Sequence, residues 1–167
     1  HYRLQFTGMQ QCGTIAGVAH CDNKLFVVVE SGGMYVLRQD DDQQQQTGIE
    51  LRPTGLKRPT DVVACTETKQ LYIADWHGGV WRVSLDGQHV DKWLTDKSSS
   101  TTDWSPWSLS LTSRRLLVTS LDVDNNSLFL FGSDGVQLKH ISLSNIKCLY
   151  HAVETSHETF IVCHGTT

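Results

Sequence analysis

One feature limits this chain more than any other: a pattern of short apolar runs that returns about every 45 residues. A unit of that size cannot cover both of its own faces, so it must stack against copies of itself. The pattern is clearest in Asp61-Val62-Val63-Ala64, Leu71-Tyr72-Ile73-Ala74-Asp75, Val80-Trp81-Arg82-Val83, the turn Asp86-Gly87, and Gln88-His89-Val90. Gly17-Val18-Ala19, Leu25 to Val29 and Met34 to Leu37 repeat it upstream; Ser108 to Leu111, Leu116 to Val118 and Leu128 to Phe131 repeat it downstream. Phe26, Tyr72, Leu117 and Phe160 lie 46, 45 and 43 residues apart, and Pro59 returns as Pro106 and Asp86-Gly87 as Asp134-Gly135.

Each unit holds four runs rich in Val, Ile, Leu, Phe, Tyr and Trp, separated by turn residues, which is strand chemistry. No window keeps a 3.6-residue apolar period, so long helices are not expected. Asp-Gly between two runs is a strong hairpin signal, and Gly32-Gly33 and Gly78-Gly79 are read as hairpin glycines. Four antiparallel strands per unit is the plan of a propeller blade. The expected fold is therefore all-β, a β-propeller fragment of four-stranded antiparallel blades. Residues 1–12 form a lead-in with a stray outer strand at Arg3–Thr7; blades occupy 13–53, 54–97 and 98–144, and 145–167 supply two strands of a fourth. The outer strands are expected at Thr47–Arg52, Gln88–Leu94 and Val136–Leu143, and the last two strands at Ile146–Val153 and Thr159–His164.

Composition narrows the function classes. With 39% apolar and 19% charged residues the chain suits a globular domain, and no apolar run reaches the ~18 residues of a membrane helix. Net charge is −4, against the basic excess usual for phosphate-backbone binding. The five cysteines, Cys12, Cys21, Cys65, Cys148 and Cys163, have no CxxC spacing and read as buried free thiols of a reducing, cytoplasmic compartment. A Cys148–Cys163 disulfide is the alternative for that pair. The sequon Asn125-Asn126-Ser127 doubles as turn chemistry.

The second unit resembles an NHL repeat. Arg58-Pro59-Thr60-Asp61-Val62, Leu71-Tyr72-Ile73-Ala74-Asp75 and Val83-Ser84-Leu85-Asp86-Gly87 match the family pattern, whereas Gly78-Gly79 replaces its Asn-His pair and the other units lack the Asp after their second strand. The resemblance implies an interaction platform, as at the end of tripartite-motif ubiquitin ligases, binding protein or single-stranded RNA. Related six-bladed propellers include metal-dependent hydrolases and lyases, and fold alone does not choose between them.

The residues favour binding over catalysis. No G-x-S-x-G elbow surrounds Ser108 or Ser110, and no phosphate loop or H-E-x-x-H is present. His77, His164, Glu30, Asp122 and Asp124 all fall after second strands, where a metal would sit, without ligand spacing; His20-Cys21 and Cys65 fall after first strands. No catalytic residue, metal or cofactor is expected. The binding face is expected at Trp76, His77, Trp104 and Trp107, with Lys57 and Arg58 beside them, because loops after the second and fourth strands share one face and aromatic side chains there anchor partners. Arg114-Arg115 belong to the opposite face. The polar stretches Asp40–Gln46 and Ser98–Thr102 read as loop tips. Open terminal faces of a blade row are apolar, so the row is expected either to be half of a longer ring or to close one with a second copy, and self-association is predicted. The partner is thus a protein or another copy of the chain, with RNA second and no membrane.

Overall fold

A computed structural model describes residues 6–7, 13–38, 46–51, 55–77, 79–94, 104–112, 115–121, 126–156 and 158–165. Cys12, Asp40 to Gln45, Gly78, Ser98 to Thr102, Arg114, Asp122, Asp124 and Asn125 lie outside them.

Every regular element among the described residues is a β-strand, as the period-two patterning requires. The first sheet joins β2 (Ile15–Cys21), β3 (Lys24–Val29), β4 (Met34–Arg38) and β5 (Gln46–Leu51), with β1 (Phe6–Thr7) at its outer edge. The second joins β6 (Pro59–Cys65), β7 (Gln70–Asp75), β8 (Gly79–Ser84) and β9 (Val90–Leu94). The third joins β10 (Pro106–Thr112), β11 (Arg115–Ser120), β12 (Ser127–Gly132) and β13 (Gln137–Ser142), and β14 (Leu149–Ser156) pairs with β15 (Thr159–His164) as the fourth. All pairings are antiparallel except β1 with β5, where Phe6 lies opposite Gln46 and Thr7 opposite Thr47. Among the described residues no helix is long and apolar enough to cross a membrane.

The first strands of the sheets lie side by side, β2 on β6, β6 on β10 and β10 on β14. Among the described residues three apolar clusters fill the seams. Phe26, Val28, Met34, Leu71 and Ile73 pack the first, Tyr72, Ala74, Leu109, Leu116 and Phe131 the second, and Leu117, Leu128, Leu130, Leu149 and Ala152 the third. The second strands β7 and β11 are buried from their second residue onward. They face a neighbouring sheet on both sides, which is why they carry the most continuous apolar runs. Each such Leu, Ile or Val contributes about 1.5–3 kcal/mol on burial.

The Asp86-Gly87 turn closes through the Gly87 N–H on the Ser84 carbonyl at 2.8 Å, with Gly87 at φ 73°. That conformation is cheap only for glycine. All four first strands carry a register shift at the same place, between Ile15 and Gly17, Pro59 and Asp61, Pro106 and Ser108, and Leu149 and His151. A bulge of this kind turns a side chain out of the alternating pattern.

Two expectations need correction. The fourth sheet begins at Leu149 rather than Ile146, because Ile146 closes a turn on the Leu143 carbonyl at 3.1 Å. Cys148 and Cys163 are exposed free thiols, not buried ones and not a disulfide. Cys163 alternates with Phe160 and Val162, which face the third sheet, and so points the other way. Cys21 is buried and Cys65 half-buried.

Candidate functional site

In each sheet the loop after the second strand is tied to the entry of the first by one backbone hydrogen bond. The donors and acceptors are Glu30 to Thr14, Trp76 to Arg58, Leu121 to Ser105 and Gly165 to Cys148, at 3.0–3.1 Å. Among the described residues, only the second sheet adds a carboxylate. Asp75 ends β7 and is fully buried. Its Oδ2 accepts the Lys57 N–H at 2.5 Å, and its Oδ1 accepts the N–H groups of Arg58 at 3.3 Å and His77 at 3.0 Å. One side chain thereby fixes both loops. Val29 holds the matching place in the first sheet, and Ser120 in the third, where its hydroxyl accepts the Ser105 N–H at 3.2 Å.

On this frame Trp76 meets Trp107 of the third sheet edge to face, with centroids 5.5 Å apart and planes at 85°. The Arg58 guanidinium carbon lies 5.7 Å from the centre of a Trp76 ring, within cation–π range. Thr60 Oγ1 donates to the Pro106 carbonyl at 3.1 Å and ties β6 to β10 beneath the pair. Lys57, Arg58 and His77 are exposed, and Trp76 and Trp107 are half-buried. Among the described residues, neither Lys57 nor Arg58 forms a salt bridge. The structure brings together Lys57, Arg58, Trp76, His77 and Trp107.

Trp104 goes elsewhere. Its ring packs 6.0 Å from Phe129 and 6.2 Å from Phe131, inside the seam between the second and third sheets. Its indole N–H is buried without an acceptor there. The expected binding-face role does not fit a ring turned into the core. Arg115 also has a structural partner, reaching Glu154 of the fourth sheet at 2.7 Å.

A second polar group was not singled out from the sequence. The bulge positions Asp61, Ser108 and His151 come from three successive first strands. Asp61 accepts the N–H of Val62 through Oδ1 and of Leu109 through Oδ2, both at 2.8 Å, and Ser108 adds a side-chain hydrogen bond. Burial pushes the Asp61 carboxyl up, against the opposing pull of those bonds and of His151. Ser108 Oγ also meets His151 Nδ1. Serine has one hydroxyl proton. With that proton on an ionised Asp61, the imidazole must donate from Nδ1. Ser108 is only 5% exposed, and the group links three neighbouring first strands across two seams. The usable signal was the repeat itself: aligning the units puts Gly17, Asp61, Ser108 and His151 in one register.

At the opposite end of the second seam lies a cavity of about 260 Å³, lined by Cys65, Tyr72, Trp93, Leu111 and Leu116 among others. Trp93 stands edge-on to Tyr72 at 4.8 Å. Among the described residues no three His, Cys, Asp or Glu side chains gather closely enough to hold a metal ion.

No protein-family model matches the chain, and no curated protein matches its sequence. Solved structures do match. The WD40 β-propeller domain of Doa1 aligns with TM-score 0.58 at 14% identity, over 95% of this chain and 64% of that one. The computationally designed Ika4 protein aligns with TM-score 0.63 at 14% identity, over 98% of both chains. A chain of the nidogen/laminin complex aligns with TM-score 0.48 at 14% identity, over 78% of this chain and 64% of that one. The chain thus spans about two thirds of the length of the Doa1 and nidogen/laminin chains, and nearly all of Ika4. At this identity the likeness speaks for the fold alone: an all-β chain of four-stranded antiparallel β-propeller blades.

Proposed function

We propose that this chain is a non-enzymatic protein-binding scaffold whose docking face is the cluster of Lys57, Arg58, Trp76, His77 and Trp107. The observation that carries the reading is Asp75. A fully buried carboxylate spends its oxygens on the backbone of Lys57, Arg58 and His77, which fixes the loops that carry these side chains before any partner arrives. Preorganised aromatic and Arg side chains are the usual anchors of protein interfaces. The NHL-like pattern supports the same reading, since Asp75 closes its Leu71–Asp75 strand and Pro59 opens β6. It extends to a substrate-recognition platform of a cytoplasmic ubiquitin ligase. In the test, a partner captured by the wild-type chain is offered to Trp76→Ala and Arg58→Ala. Loss of capture with unchanged thermal unfolding supports the face, and undiminished capture by both variants refutes it.

The fourth sheet favours a second surface. Tyr150, Val153 and Ile161 are 47%, 37% and 61% exposed, and Val153 and Ile161 are cross-strand partners. They lie on the side away from the third sheet, as Ile15 and Val18 of β2 do at the other end of the row. A head-to-tail contact between two copies covers both patches, and it closes if the rotation returns on itself. We expect the 167-residue chain to self-associate, and Ile161→Lys with Val153→Lys to shift it toward monomer. A monomeric mass for the wild type by light scattering at micromolar concentration defeats this surface and leaves the Trp76 face standing.

A further inference from the structure

We infer that the partner segment at the Trp76 face is an acidic polypeptide carrying an apolar side chain; this rests on the scaffold reading and names its ligand. Lys57 and Arg58 are adjacent and exposed, and neither is in a salt bridge among the described residues. They form a local cationic step on a chain of net charge −4. The carboxylate of Asp75 beneath them does not compete, because it is buried and bonded to three backbone N–H groups. Arg58 lies against Trp76, which steadies a planar fork that suits a carboxylate bidentately. Trp76 and Trp107, edge to face, offer a half-buried apolar step beside it for a Phe or Leu.

A nucleic-acid strand is the poorer fit. It needs several cations in a row, whereas Arg115 opens β11 at the opposite end of the third sheet from Pro106, where Glu154 holds it.

The test uses the whole chain with three probes: a short Glu/Gly peptide around one Phe, the same peptide with Gln for Glu, and a single-stranded oligouridylate. Binding is read from the indole N–H resonances of Trp76 and Trp107 and by titration at low and moderate salt. The acidic peptide is expected to move both resonances and to weaken as salt rises. The Gln peptide is expected to bind about tenfold more weakly, which is ~1.4 kcal/mol. Arg58→Glu should lose a similar factor, and Arg58→Lys should lose less because the charge remains. Equal affinity for the Glu and Gln peptides overturns the acidic partner while the scaffold reading survives. Binding of oligouridylate in preference to the acidic peptide overturns it in favour of RNA. If no probe moves either indole, the inference fails, and the capture test with Trp76→Ala separately decides the scaffold.

Discussion

Replacing Asp75 should unpin the face before it unfolds the blade. In Asp75→Ala the N–H groups of Lys57, Arg58 and His77 lose their shared acceptor. A hydrogen bond to a charged group contributes about 1.5–3 kcal/mol. These three share one carboxylate at partly buried sites that water can reach, so about 1 kcal/mol each, ~3 kcal/mol in all, is the appropriate scale. For a domain of this size that lowers Tm by about 6–12 °C. Asp75→Asn separates the causes. The amide keeps one oxygen for Arg58 and His77 but turns an N–H2 donor toward the Lys57 N–H, so it should cost about 1–2 kcal/mol. Urea unfolding monitored by far-UV circular dichroism gives the free energies, and hydrogen exchange at Lys57, Arg58 and His77 reports the local loss. A cost below about 0.5 kcal/mol for Asp75→Ala, or full exchange protection at the three amides in that variant, would refute the view that one carboxylate organises the face.

Two further outcomes follow from the buried groups. Burial holds the Asp61 carboxyl above its ordinary value, so the folded state binds its proton more tightly than the unfolded chain does. Stability should therefore fall as pH rises from the ordinary Asp range through the raised value, then level off. Asp61→Asn should lack that slope, so the difference between wild type and variant should carry it; a difference that is flat with pH counts against the buried acid. Asp22 and Asp86, whose carboxyls are lowered chiefly by side-chain hydrogen bonds from Lys69 and Ser84, slope the other way in both proteins and cancel in the difference. Among the thiols, Cys148 and Cys163 are exposed while Cys21 is buried and its thiol is pushed up, first by burial and then by Asp22. A thiol reagent followed by peptide mass mapping should label Cys148 and Cys163 first and Cys21 only on unfolding. Early labelling of Cys21 would contradict the packing of the first seam.

The fold was legible because the repeat is a statement about packing. A run such as Leu71 to Asp75 must be buried on both sides, and only stacked sheets do that. The clustering of Lys57, Arg58, Trp76 and His77 was legible for the same reason: they fall in loops that the blade plan sends to one side. Trp104 was not, since the direction of its ring depends on Phe129 and Phe131 of a strand that follows it in the same blade. Asp61, Ser108 and His151 were hidden by the bulges. A bulge shifts alternation by one residue, so simple counting along β6, β10 and β14 sends these side chains the wrong way. The two exposed thiols were misjudged because Cys is usually buried, and nothing in 145–167 shows which side of β15 is covered.

Gly17 holds the bulge position in β2 that Asp61 holds in β6. A Cβ there would sit 2.9 Å from the Val62 nitrogen and 3.0 Å from Asp61 Oδ1, so its lack of a side chain is what lets the Asp61 carboxylate lie flat against its own backbone. From that point the donors run one way around the axis, imidazole to hydroxyl to carboxylate, whenever Asp61 is ionised. The row of blades therefore has an electrical sense as well as a geometric one.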